Sequence, residues 1–129
     1  MKTEPRLPDY LRHIQDAAEQ TLTYIAGMDL TAFQADRRTQ QAVLFNFVIL
    51  GEASAKVMDA YPDFVGRHTA VPWRAIRNMR NRVAHGYFKI DFEVLWETIA
   101  AALPELLAQL PAVIAAAQQQ TDVPPTAAS

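Results

Sequence analysis

AVLFNFVILGEASAKV, residues 42–57, is apolar almost all the way round when read at helical pitch. A helix of that kind is buried on several sides, either inside a bundle or at a subunit interface. It forms the middle of a long helix predicted from about Arg37 to Ala60. Asn46 and Glu52 are polar residues that interrupt it. A carboxylate in an apolar setting is costly without a partner, and an Arg or His from elsewhere in the chain is the obvious candidate. The alternative is that Glu52 faces water beside Gly51.

Helical periodicity continues on both sides. Leu11, Ile14, Ala18, Leu22 and Ile25 recur at steps of three and four, one face of an amphipathic helix. Pro8 and Asp9 suit its start and Gly27 its end. Asp29 to Ala35 reads as a connector with a short helical turn. AYPDFVGRHTAVP, residues 60–72, carries Pro62, Gly66 and Pro72 and reads as a loop. Pro72 then suits the first position of a third long helix with Trp73, Ile76, Met79 and Val83 as its apolar stripe, and Gly86 is placed to stop it with a left-handed cap. Asp91 caps a fourth, with Glu93 in its first turn. Its stripe is Leu95, Ile99, Leu103, Leu106, Leu110 and Ile114, and Pro104 and Pro111 should kink or interrupt it. No segment alternates like a strand and no repeat recurs. The expected fold is all-α, an antiparallel bundle of four principal helices over residues 1–116, followed by a disordered tail over 117–129.

The bulk properties narrow the function. The chain has 129 residues, half of them hydrophobic, enough for one domain with one core. It has no cysteine, which removes disulfide scaffolds, thiol nucleophiles and cysteine metal sites. The uncharged apolar run around Ala42 to Leu50 is short of the ~20 residues that span a membrane. The N-terminus has no signal-peptide run. A soluble, cytoplasmic protein is expected.

The net charge is −2, yet charge is unevenly spread. Between Phe64 and Ile90 there is no Asp or Glu, while Arg67, Arg74, Arg77, Arg80, Arg82 and Lys89 fall there with His68 and His85. Such a segment attracts a polyanion locally; the alternative is a solvated helix face. There is no glycine-rich phosphate loop and no HExxH helix. His13, His68 and His85 are scattered, so neither a metal site nor a cofactor is expected. Ser54 lies mid-helix and is a poor nucleophile candidate.

Arg80 and His85 remain. Histidine exchanges protons near neutral pH, and the arginine fork fits a phosphate. Metal-free RNA cleavage needs both: the ribose 2′-OH must lose a proton, and charge developing at phosphorus and the leaving 5′-oxygen must be stabilised. Positions five apart on a helix point about 140° away from each other. Either Gly86 ends the helix so that His85 turns back, or two copies share the site. Asn81, four residues before His85, shares its face. Arg–x4–His is a weak pattern alone, and a C-terminal helix histidine interacting with the dipole is the plainer reading.

The longer run VPWRAIRNMRNRVAHGYFKID, residues 71–91, closely resembles the signature of the HepT-like branch of the HEPN domain family, the toxin half of HepT–MNT toxin–antitoxin pairs. LGEASAKV, YPDF and VLWETIAAALPELL resemble the same family, so the likeness runs from about Leu7 to Ala112. It implies a small all-α homodimer acting as a metal-independent endoribonuclease in a cleft shared by two chains. It makes Arg80 and His85 catalytic, with Asn81 and Glu52 supporting the site. It makes Tyr87 the motif tyrosine to which a minimal nucleotidyltransferase antitoxin attaches AMP. Arg77 and Arg82 are expected to guide the RNA backbone. Two other readings stand beside this one: a non-catalytic nucleotide- or RNA-binding module for a nucleotidyltransferase partner, and a DNA-binding helical domain using the same arginines.

Overall fold

The computed structural model describes residues 6–86 and 89–121. All regular structure among them is helical: α1 (Leu7–Tyr24), α2 (Leu30–Ala35), α3 (Arg37–Ala60), α4 (Pro62–Arg67), α5 (Trp73–Gly86) and α6 (Phe92–Thr121). The all-α class predicted from periodicity is the class observed.

The long apolar helix is the centre of the fold. α3 packs along α1 on one side and α5 on the other, and α1 also packs on α6. Val43, Leu44, Phe47, Leu50 and Val57 of α3 meet Leu11, Ile14 and Ala18 of α1 in one core. α6 closes it with Leu95, Ile99, Leu103, Leu106 and Leu110. Each large side chain of this kind contributes about 1.5–3 kcal/mol on burial. α2 is short but anchored: Phe33 is fully buried, with Phe92 edge-on at 6.0 Å and Trp96 at 5.2 Å. Asp29 and Asp36 cap α2 and α3 by accepting from the Ala32 and Thr39 amides. Gly27, at φ 80°, turns the chain after α1, a conformation that glycine adopts without steric cost.

Several expectations need correction. Residues 62–67 form a helix rather than a loop, because Pro62 supplies a pre-set first-turn φ and Phe64 is buried beneath it. Pro72 precedes α5 instead of opening it; its carbonyl accepts from the Ile76 amide. Gly86 is helical and has no positive φ, so the left-handed cap expected there is absent. α6 runs unbroken through Pro104 and Pro111. Both prolines are on its exposed face, while the leucine stripe holds the other face against the core. The helix also extends to Thr121, past the expected domain end at 116, and Ala117 is buried. The rest of the predicted tail lies outside the described residues.

By length and mean hydropathy α3 and α6 could each cross a membrane, although neither has the uninterrupted uncharged run sought in the sequence. Half of the α3 window is buried inside the fold, as in the core helix of a bundle.

Candidate active site

The basic segment folds as α5, and its first turn is tied to α3. Ser54 is buried and donates from Oγ to the Trp73 carbonyl at 2.7 Å. The Trp73 indole donates to the His68 carbonyl at 3.0 Å. Ser54 is thus a structural hydroxyl. Trp73 and Ile76 are buried, whereas Met79 and Val83, expected to complete the stripe, are only half-buried.

One turn further on, α5 crosses α3 at Gly51. A Cβ built on Gly51 would collide with the Cβ of Arg80 and lie 3.1 Å from its Cα. No other residue permits this approach without displacing one helix. The sequence carried a signal for it: a glycine inside a long helix costs roughly 1 kcal/mol relative to alanine, which asks for a compensating contact. Reading Glu52 alone missed the residue beside it.

The crossing places Arg80 beside Glu52, 28 residues away in sequence. Arg80 Nη1 donates to Glu52 Oε1 at 2.5 Å. Nε and Nη2 both donate to Asn81 Oδ1, at 3.2 and 2.9 Å. The guanidinium has five N–H groups, so one on each terminal nitrogen is left for a ligand. The Arg80 side chain is 29% exposed and that of Glu52 51% exposed. A pair this open adds little to stability; its effect is to set the direction of the fork. Glu52 therefore has the basic partner anticipated for it, at the surface rather than in the core.

His85 is exposed and lies within the unbroken helix. Its side chain therefore stays about 140° around α5 from Arg80, and no hydrogen bond or ion pair joins the two. Turning His85 back at Gly86 is not what the chain does. Asn81 is bound to Arg80 and not to His85. Arg77 is half-buried and Arg82 exposed, about 140° apart on the same helix. Tyr87 lies outside the described residues. Among those described, no three His, Cys, Asp or Glu side chains are grouped to hold a metal ion.

This arrangement offers an oriented phosphate-binding fork and an exposed imidazole on one helix. The model of the HepT-like ribonuclease family matches residues 14–113. A protein of Thermococcus cleftensis with the name "Probable ribonuclease HepT" is 36% identical over 98 residues, covering 76% of this chain and 86% of that protein. An RNase-named protein of Caldanaerobacter subterraneus subsp. tengcongensis is 33% identical over 114 residues, covering 88% of this chain and 96% of its own length. Another RNase-named protein, from Methanocaldococcus jannaschii, is 26% identical over 105 residues. No solved structure matches. With its family model spanning most of the helical bundle, the chain belongs to the HepT-like ribonuclease family.

Proposed function

We propose that this protein is a metal-independent endoribonuclease that acts as a homodimer in the cytoplasm. One observation carries the reading. Arg80 is held by Glu52 and Asn81 with two N–H groups to spare, while His85 is exposed far round the same helix. A single chain keeps the two functions apart, and a second copy can bring His85 to Arg80. Phe45 is 67% exposed on α3, and Ile49 and Glu52 follow it at helical spacing. Phe45 and Ile49 form a short apolar strip that leads to the Glu52–Arg80 pair and suits a facing copy of the same helix.

In the cleft, Arg80 binds the scissile phosphate and takes up charge as the ribose 2′-oxygen attacks phosphorus. His85 accepts the 2′-OH proton and, as the imidazolium, returns a proton to the departing 5′-oxygen. The 2′-O–P bond forms, the P–5′-O bond breaks, and a cyclic phosphate and a 5′-hydroxyl result. Arg77 and Arg82 guide the RNA backbone.

The family resemblance supports a biological setting. The protein is the toxin of a toxin–antitoxin pair, and a minimal nucleotidyltransferase silences it by attaching AMP to Tyr87. The test is cleavage of single-stranded RNA in EDTA by wild type and His85→Ala. Cleavage by wild type alone supports the reading. Inactivity of a wild type shown by mass to lack AMP on Tyr87 favours the binding-module alternative. That alternative draws on the Arg80–Glu52 pair, which occupies part of the fork in the single chain.

A further inference from the structure

Beside α5, along the stretch from Met79 to Gly86, lies a groove of about 260 Å³. Its apolar lining includes Leu44 of α3, Met79 and Val83 of α5, and Leu95 of α6. Arg82 and Lys89 also line it, both exposed and, among the described residues, without an acidic partner. Asp91 lines it too. Its Oδ1 accepts from the Glu93 and Val94 amides at 2.9 and 3.2 Å as α6 begins, leaving Oδ2 as a free acceptor.

We propose that this groove seats one base of single-stranded RNA beside the phosphate to be cut, and that it prefers a base carrying an exocyclic amino group. The proposal rests on the ribonuclease reading above and adds a specificity subsite to it.

Three observations point to that occupant. The volume is below the ~300–1,000 Å³ of pockets that enclose a drug-sized ligand, which suits a single ring system. Apolar walls under a pair of free cations match a flat apolar group attached to a phosphate chain, as in recognition of unstacked RNA bases. Arg82 and His85 are three apart on one helix, so their Cβ atoms are about 5–6 Å from each other. Val83 is likewise three residues after Arg80, so a base seated over Met79 and Val83 leaves its backbone within reach of the Arg80 fork.

Asp91 supplies the discrimination. A carboxylate oxygen accepts from an amino group, as from cytosine N4, and repels the carbonyl oxygens that uracil presents. Adenine and cytosine are favoured over uracil.

The experiment measures binding of labelled oligo(A), oligo(C) and oligo(U) hexamers and maps cut sites on mixed-sequence single-stranded RNA. Asp91→Asn keeps an equally good helix cap but turns the free acceptor into a donor. Thr98→Phe fills the groove from α6. Wild type should bind oligo(A) and oligo(C) about tenfold tighter than oligo(U). Asp91→Asn should move the preference toward oligo(U), and Thr98→Phe should remove it. Equal binding of all three by wild type, or a preference untouched by Asp91→Asn in a protein that melts normally, overturns the groove proposal. Cut sites add a separate reading: no cleavage by wild type sinks the nuclease, whereas cleavage without base preference sinks the groove alone.

Discussion

Gly51 and Arg80 meet where α3 crosses α5, so closely that a single methyl group on Gly51 would overlap the Arg80 side chain. That contact sets where the guanidinium leaves α5 and so brings it to Glu52. Gly51→Ala should therefore push the helices apart. Overpacking of this kind costs ~1–3 kcal/mol, partly offset by better helix propensity. Thermal unfolding should show a lower melting temperature, and RNA cleavage should fall more than tenfold. Unchanged cleavage would show that the crossing does not position Arg80.

An exposed partner of Arg80, Glu52 should orient the fork rather than stabilise the fold. Glu52→Gln should change the unfolding free energy by less than about 1 kcal/mol, as expected for an exposed pair. Cleavage should fall about tenfold as the fork loses its charged anchor. Parallel denaturant titrations and initial cleavage rates separate the two effects.

Arg80→Ala and His85→Ala should each abolish cleavage while the dimer survives. Their mixture distinguishes a shared cleft from a single-chain site. In a heterodimer of the two variants, one cleft holds the Arg80 of one chain and the His85 of the other. The heterodimer should then have about half of wild-type activity and a random 1:1 co-refold about a quarter, and failure to restore any would place both residues in one chain's site.

Phe45 is exposed but sits outside the monomer core. Phe45→Asp should leave the helical signal of the monomer intact and halve the mass measured by sedimentation, with loss of cleavage. A dimer that persists would move the interface elsewhere.

Asp36 caps α3, and its carboxyl is held below the ordinary carboxylate range by the Thr39 amide and then the Thr39 hydroxyl. Because the folded value is depressed, this contribution is present above the unfolded pKa and is lost as pH falls through the folded one. Asp36→Asn removes that titration. The melting-temperature difference between wild type and Asp36→Asn should therefore shrink as pH is lowered from 6 to 3.

Much of the bundle could be read from local pattern. Apolar spacing located α1, α3 and the inner face of α6, because each helix must bury its own stripe whatever its neighbours are. Short-range signals were less secure where burial overrode them. Pro62 and Gly66 read as loop, but burial of Phe64 makes the segment helical. Pro104 and Pro111 read as breaks, but they lie on a solvent face while leucines clamp the other side. The candidates Arg80, Asn81 and His85 were visible from residue type and spacing, as was the family likeness.

The amino-acid order thus singled out Arg80 and His85 as candidates and settled the helical class and their 140° separation, since these follow from side-chain type and helix pitch. It left the partner of Glu52 open, because pairing between residues 28 apart depends on where two helices cross. Packing settled that point: the missing side chain at Gly51 allows α5 close onto α3 at Arg80. The same packing left Met79 and Val83 half-covered and made a groove from what pattern alone assigned to the core.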